Sequence, residues 1–525
     1  MPVQPDEFHV YDTTLRDGAQ REGLSLSVHD KLAIARYLDE LGVGFIEGGW
    51  PGSNPKDAEF FRRAPKELDL STAVLAAFGA TRRPGVRAAD DPQVAALRDS
   101  GTQVVTLVAK AHDRHVEKAL RTTLEENLEM VRDTVSHLRA EGRRVFVDAE
   151  HFFDGYTDNP GYALQVCRVA AEAGADVVVL CDTNGGNLPQ RLAEVVQKVA
   201  DDGLRVGIHA HNDAACAVAN SLAAVEAGAT HVQGTANGYG ERCGNADLFA
   251  VVAGLELKTG RRVLPSGRLA ELGRVSHAIA EVANIAPDPH QPYVGASAFA
   301  HKAGLHVSAV KVAPDLYQHV DPSSVGNELR LLVSELAGRA TVELKGRELG
   351  LDLDRDTVIR IIERVKDLES VGFTFEAAEA SFELMLHEEL TGQRPSYFDL
   401  ESWRVIVERR ADGAVASEAT VKLRANGERI VATGEGNGPV NALDNALRLA
   451  LGQLYPVLAE FHLVDFKVRI VEGRHDTGAV TRVLVETGNG VREWGTVGVD
   501  ENVIAASWQA LEDAYNYGLS LAARA

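Results

Sequence analysis

Two histidines two residues apart, His209 and His211, stand in the stretch Arg205-Val206-Gly207-Ile208-His209-Ala210-His211-Asn212-Asp213. On a strand, residues i and i+2 share a face with their α-carbons about 6.5–7 Å apart. Both imidazoles can then converge on one cation. Asp17, in Asp12-Thr13-Thr14-Leu15-Arg16-Asp17-Gly18, supplies a carboxylate to join them, and Asn245 offers a neutral oxygen as a fourth ligand. Asp17, His209 and His211 by themselves leave about three positions of a six-coordinate ion open to water or substrate. Its mixed oxygen and nitrogen donors suit Mn²⁺, Mg²⁺, Zn²⁺ or Co²⁺, and equally the iron of a non-haem oxygenase. No cysteine stands at ligand spacing, which argues against a structural zinc site. Arg16, beside Asp17, is a fixed cation suited to stabilising negative charge that develops on a substrate oxygen. A 2-oxo acid would use these groups: its carboxylate and keto oxygen chelate the metal, Thr183 hydrogen-bonds the carboxylate and Arg16 polarises the ketone.

These residues are far apart in the chain, so a fold must gather them. From residue 8 to about 258 the sequence repeats one grammar: a short apolar run, a polar or glycine-bearing loop, then a helix-period segment. Strands are predicted at Phe8–Tyr11, Phe45–Gly49, Ala73–Phe78, Val104–Val108, Val145–Asp148, Val177–Cys181, Val206–Ala210 and His231–Thr235. Helices are predicted between them, among others at Val28–Leu41, Leu124–Ala140, Tyr162–Ala173, Gln190–Ala200, Ala214–Ala227 and Asn245–Leu257. Eight such alternations fit a closed (β/α)₈ barrel, the TIM barrel, better than an open doubly wound sheet. Barrel chemistry is built at the carboxyl ends of the strands. Arg16, Asp17, Glu47, Glu150, Thr183, His209, His211 and Asn245 all follow strand ends, so the barrel predicts one shared rim.

Composition narrows the class further. At 525 residues, with 45% hydrophobic and 25% charged residues, the chain reads as a soluble globular protein of two or more domains. A formal net charge of −22 excludes nucleic acid and anionic membrane as bulk partners. No apolar run reaches the roughly 18–20 residues of a membrane span. The start Met1-Pro2-Val3-Gln4-Pro5-Asp6-Glu7 has neither a basic region nor an apolar core, and the four cysteines show no paired spacing. A cytoplasmic protein with reduced thiols is expected, with Cys243 a small buried or half-buried residue of its glycine-rich loop.

Asp12–Gly18, His209–Asp213 and Gly240-Glu241-Arg242-Cys243-Gly244-Asn245 together resemble the metal-dependent barrel family of 2-isopropylmalate, homocitrate and citramalate synthases. The likeness covers essentially the whole chain, and the loop Gly48-Gly49-Trp50-Pro51-Gly52-Ser53-Asn54-Pro55-Lys56-Asp57 is similar to that of the longer citramalate synthases. The resemblance implies an acyltransferase of the Claisen type that converts the acyl group to alkyl on transfer. Acetyl-CoA loses a methyl proton, the enolate attacks the ketone of pyruvate, and thioester hydrolysis releases (R)-citramalate and CoA, on the threonine-independent route to isoleucine. Carried over by position, Asp17, His209 and His211 match the family's metal ligands, with Asn245 the fourth. Arg16 matches its oxyanion-stabilising arginine, and Glu150 and Thr183 match residues that hold the 2-oxo acid. His301 in Phe299-Ala300-His301-Lys302-Ala303-Gly304-Leu305-His306 matches the proton acceptor, and Tyr317 matches a tyrosine of proton transfer or thioester hydrolysis. The alternatives are 2-isopropylmalate synthase or another 2-oxo acid acyltransferase of the family, an acyl-CoA lyase, and an idle binding protein on the same barrel. The lyases' Gly-Gly-Cys-Pro loop is absent, and no site residue is missing. Trp50 and Phe78 are candidates to shrink the pocket to the size of pyruvate.

Domain boundaries are expected at the proline-rich break Ile285–Pro292, giving a catalytic barrel over residues 1–285, and near residue 398. Residues 286–398 read as mainly helical linker subdomains capping a barrel mouth, with helices at Leu329–Glu348, Arg355–Glu369 and Phe375–Glu389. Residues 399–525 read as an α+β domain with a duplicated βββα unit. Strands at Trp403–Val407, Ala416–Leu423 and Glu428–Thr433 precede a helix at Val440–Leu451; strands at His462–Val471, Ala479–Glu486 and Val491–Val497 precede another at Asn502–Leu521. Glycine-bearing entries to those helices expose backbone N–H groups that suit a carboxylate, or are simple caps. The family resemblance implies a regulatory domain that pairs in a homodimer and binds isoleucine as effector.

Overall fold

The computed structural model describes residues 7–334, 339–351, 353–409, 411–471 and 479–524. The N-terminal start and residues 335–338 of the expected helix Leu329–Glu348 lie outside them. The chain forms two compact units, Met1–Phe299 with Val320–Glu328, and Ala300–His319 with Leu329–Ala525.

In the first unit the barrel expected from the strand count is borne out. Strands β1 (His9–Asp12), β2 (Phe45–Glu47), β3 (Val74–Ala80), β4 (Val104–Lys110), β5 (Arg144–Glu150), β6 (Val177–Asp182), β7 (Val206–Ala210) and β8 (His231–Gly234) close in sequence order. All pairs are parallel, and β1 joins β8 in the register His9↔His231 to Asp12↔Gly234. Alternate residues face opposite sides of a strand. Val206, Ile208 and Ala210 therefore pack outward against the helices, while Tyr11, Phe45, Phe146, Val179 and Cys181 fill the barrel interior. The same parity turns His209 inward.

Helix ends follow local chemistry. Ser27 and Asp30 form a reciprocal capping box at Val28–Leu41, and Asn54 caps Pro55–Glu67, which starts with proline at its first position. Two predicted helices begin later than expected. Ala215 takes a positive φ of 56° and Ala217–Glu226 starts after it. Asn245 pairs across an isolated bridge with His211, so the next helix runs Leu248–Lys258 from its cap Asp247.

In the second unit β9 (Ala300–His301) pairs with β10 (Arg330–Leu331). Residues expected to open the helix Leu329–Glu348 are thus extended, and the helix is Arg339–Glu348. The duplicated βββα unit is present: β11 (Asp399–Arg409), β12 (Val415–Ala425) and β13 (Glu428–Gly436) form one antiparallel sheet before the helix Pro439–Leu451. Strands β14 (His462–Ile470), β15 (Thr481–Gly488) and β16 (Glu493–Asp500) form another before Val503–Arg524. Asn426 and Gly427, both at positive φ, make the β12–β13 hairpin turn. A Cβ at Gly434 or Gly436 would meet the backbone N of Ala446 or Ala442 at 2.4 and 2.5 Å. Those glycines let the helix lie directly on β13, and Gly498 does the same beneath Ala506.

Candidate metal centre

The loop after β1 is tied down before it presents anything. Asp12 accepts from the Thr14 backbone N–H at 2.9 Å and from its hydroxyl at 2.7 Å, and Thr14 Oγ1 accepts from Ala236 N at 2.7 Å. Burial pushes the Asp12 carboxyl up to about 7 against those hydrogen bonds. Asp12 and Thr14 therefore hold the motif in place, leaving Arg16 and Asp17 at the rim.

Asp17, His209 and His211, all buried, bring one ligand atom each to within 4.8 Å of one another. Asp17 Oδ2 lies 3.2 Å from His209 Nε2 and 3.9 Å from His211 Nε2, and the two Nε2 atoms are 3.2 Å apart. Burial opposes ionisation of Asp17, but Arg16 and His209 outweigh it and hold the carboxyl well below the usual carboxylate range. Burial disfavours the His209 cation, and Asp17 overrides it, so its pKa is raised. Burial, then the charge of His209, pushes His211 down to about 4. Three donors converging in a buried place fit a divalent cation. The Asn245 Oδ1 atom is buried without a hydrogen-bond partner, while its Nδ2 donates to Tyr239 O at 3.0 Å. That orphaned oxygen fits the part of a fourth ligand.

Arg16 donates from Nε to Glu47 Oε1 at 2.5 Å, lies 3.5 Å from Asp17 through Nη1, and stacks over Phe78 at 3.8 Å. Trp50 meets Phe78 edge-on at 5.4 Å. A cavity of about 270 Å³ opens beside Arg16, lined also by Gln20, Trp50, Asn54 and Lys56. Thr183 Oγ1 accepts from His151 N at 2.9 Å, leaving its own proton to donate. Arg242 clamps the loops, donating to Thr183 O and to Asp213, each at 2.8 Å. Glu150 is ion-paired with Lys110.

Sequence reasoning missed Lys110 and Gln233, and placed Glu47 on the rim without its role. Lys110 lies two residues beyond the predicted end of its strand. Glu47 emerges as the anchor of Arg16 and also accepts from Tyr11 OH at 2.7 Å. Gln233 sits mid-strand in an otherwise unremarked run. One expectation is corrected: Cys243 is exposed, because the turn through Arg242, at φ 55°, and Gly244, at φ 87°, directs the loop outward.

His301 and Tyr317 belong to the second unit. His306 stacks on Tyr317 with centroids 4.3 Å apart and lies 6.3 Å from the His301 ring. His301 Nε2 is buried without a partner, and burial followed by His306 lowers its pKa. A cleft of about 760 Å³ lies at the opposite end of the barrel, lined by Gln103, Arg139, Arg144, Asp176 and Arg205. That face of such barrels serves stability rather than chemistry.

A closed parallel barrel that brings Asp17 after β1 together with His209 and His211 at the end of β7 has a place fit for a metal ion, and the chain belongs to the HMGL-like family, whose model matches residues 7–279. The homocitrate synthase post-HMGL domain-like model matches residues 293–372, and the LeuA allosteric (dimerisation) domain matches 376–519. Among individual proteins, the chain is 69% identical over 517 residues to the (R)-citramalate synthase of Streptomyces coelicolor, covering 98% of this chain and 97% of that one. It is 50% identical to the (R)-citramalate synthase of Synechocystis sp., covering 99% and 98%. Similarity falls to 32% with a probable 2-isopropylmalate synthase of Methanopyrus kandleri, covering 96% and 97%. The resemblance drawn from the three motifs is borne out. Among the described residues no helix is long and apolar enough to cross a membrane.

Proposed function

We propose that this chain is a citramalate synthase, condensing acetyl-CoA with pyruvate and water to give (R)-citramalate and CoA. The observation that carries the reading is near-full-length identity of 69% to an (R)-citramalate synthase, joined to a buried Asp17, His209 and His211 set. Asp17, His209, His211 and Asn245 hold the divalent cation, which supplies Lewis acidity to the keto oxygen of the 2-oxo acid when bound. Arg16, oriented by Glu47, faces the oxygen on which negative charge develops. Thr183 donates its hydroxyl proton to the substrate carboxylate. Glu150, held by Lys110, orients the acid. Trp50 walls the space beside Arg16, backed by Phe78, which packs against both; this favours the methyl of pyruvate over longer side chains by about 1–3 kcal/mol per methylene.

The methyl proton of a thioester is weakly acidic and needs a positioned base. His301 takes that role, its lowered pKa keeping it neutral at pH 7, and Tyr317 serves proton transfer or thioester hydrolysis. A second reading, favoured by the stacking of the exposed His306 on Tyr317, gives the acceptor's role to His306. Apolar residues left exposed on β11, β13 and β14 (Ile406, Val431, Val468 and Ile470) support pairing of the C-terminal domain in a homodimer. Isoleucine, the end product of the route, is the effector that such a domain receives, and the enzyme works in the cytoplasm. The test is CoA release from acetyl-CoA with pyruvate, 2-oxobutyrate, 2-oxoisovalerate and 2-oxoglutarate in parallel. Pyruvate is expected to give the highest kcat/KM, and preference for 2-oxoisovalerate would make the chain a 2-isopropylmalate synthase instead.

A further inference from the structure

Beneath the ligand set lies a short relay that the reaction itself does not use. Gln233 on β8 stands in register with His209 on β7, and Gln233, His209 and Asp148 are all buried. Gln233 Oε1 accepts from His209 Nδ1 at 2.8 Å, and Gln233 Nε2 donates to Asp148 Oδ1 at 2.9 Å. Facing an ionised Asp148, the amide has only one tolerable orientation. Turned over, it would set its oxygen against the Asp148 carboxylate, acceptor facing acceptor, and its NH₂ against the imidazole. A neutral imidazole carries one proton, and the hydrogen bond at one nitrogen decides which nitrogen is free to ligate.

We infer that Gln233 is a positioning residue for the metal centre: oriented by Asp148, its amide fixes His209 as the Nδ1–H tautomer and turns the Nε2 lone pair onto the cation. The two histidines then differ in kind. His209 is fixed before any ion arrives, whereas His211 Nδ1 is buried without a hydrogen-bond partner and takes its tautomer from the cation. Asp148 orients the ligand through the amide between them.

This inference rests on the proposed metal centre, and one experiment separates the two. The metal-stripped full-length protein is titrated with Mn²⁺ alone, free Mn²⁺ being read by electron paramagnetic resonance, and the metal-free melting temperature of each variant is recorded. Gln233→Met, nearly isosteric but unable to accept, is expected to weaken Mn²⁺ binding about 10–100-fold. Asp148→Asn, which lets the amide turn either way, weakens it severalfold. In the Gln233→Met background, Asp148→Asn costs nothing further, because the group it orients is gone. Wild-type affinity in Gln233→Met overturns the inference. So do losses that add in the double variant, which mean that Asp148 acts on the cation by its charge. Should Gln233→Met not fold, Asp148→Asn alone must still lower affinity, and an unchanged value there overturns it. A wild-type protein that takes up no Mn²⁺ overturns the metal centre along with the relay.

Discussion

Gly240→Ala tests the fourth ligand without altering any ligand. Gly240 has φ +150°, a backbone conformation that side chains rarely adopt. A Cβ built there would lie 2.2 Å from Asn245 Nδ2 and 3.3 Å from its Cγ, so Asn245 must rotate or the loop must shift. Rotation breaks the 3.0 Å bond from Asn245 Nδ2 to Tyr239 O and removes Oδ1 from the place where it lies buried and unpartnered. Backbone strain of about 1–3 kcal/mol and a lost hydrogen bond of about 1 kcal/mol together predict a stability loss of roughly 2–4 kcal/mol. Mn²⁺ affinity, measured calorimetrically on metal-stripped protein, is expected to fall about tenfold or more. Asn245→Ala removes the oxygen without the strain, so it should match the loss of affinity at a smaller cost in melting temperature. If both variants bind Mn²⁺ as the wild type does, Asn245 is no ligand and the orphaned oxygen has another explanation.

Two further predictions follow from the titrating groups. The folded-state pKa of His209 is raised, burial lowering it and Asp17 raising it by more, and only the neutral ring ligates. Metal affinity should therefore weaken as pH falls through that raised value, with one proton taken up per ion released, while His211, at about 4, contributes only in stronger acid. Equal affinity at pH 8 and pH 6 contradicts this. For the proton acceptor, His301→Ala and His306→Ala are compared at saturating substrates: loss of the acceptor lowers kcat about 10²–10⁴-fold with pyruvate affinity unchanged, and loss of its neighbour does far less. Full kcat in both variants removes the proton step from His301 and His306.

The barrel was legible because a parallel strand buried on both faces leaves an apolar run, and the runs recur with helices between them. The rim was legible for the same reason: Arg16, Asp17, Glu150, Thr183, His209 and His211 interrupt the pattern where each strand ends. Gln233 and Asp148 were not marked as a pair, because one polar residue inside a strand says nothing about its partner until β5, β7 and β8 close the barrel. Lys110 escaped because β4 runs two residues past the apolar run that marked it. The segment from Leu329 misled for a similar reason. Its helical period is local, whereas the pairing of Leu331 with His301 spans thirty residues and lies beyond any local window. Gly434 and Gly436 resemble a ligand-binding entry in sequence, and only the close approach of the helix backbone shows what they do.

The claim on which the rest depends is that Asp17, His209 and His211 hold a cation to which the 2-oxo acid binds. Calorimetric titration of pyruvate into metal-stripped and Mn²⁺-loaded protein measures that directly. Pyruvate should bind the loaded protein, fail to bind the stripped one, and fail again in Asp17→Asn supplied with the same Mn²⁺. Equal pyruvate affinity with and without the cation would contradict the account.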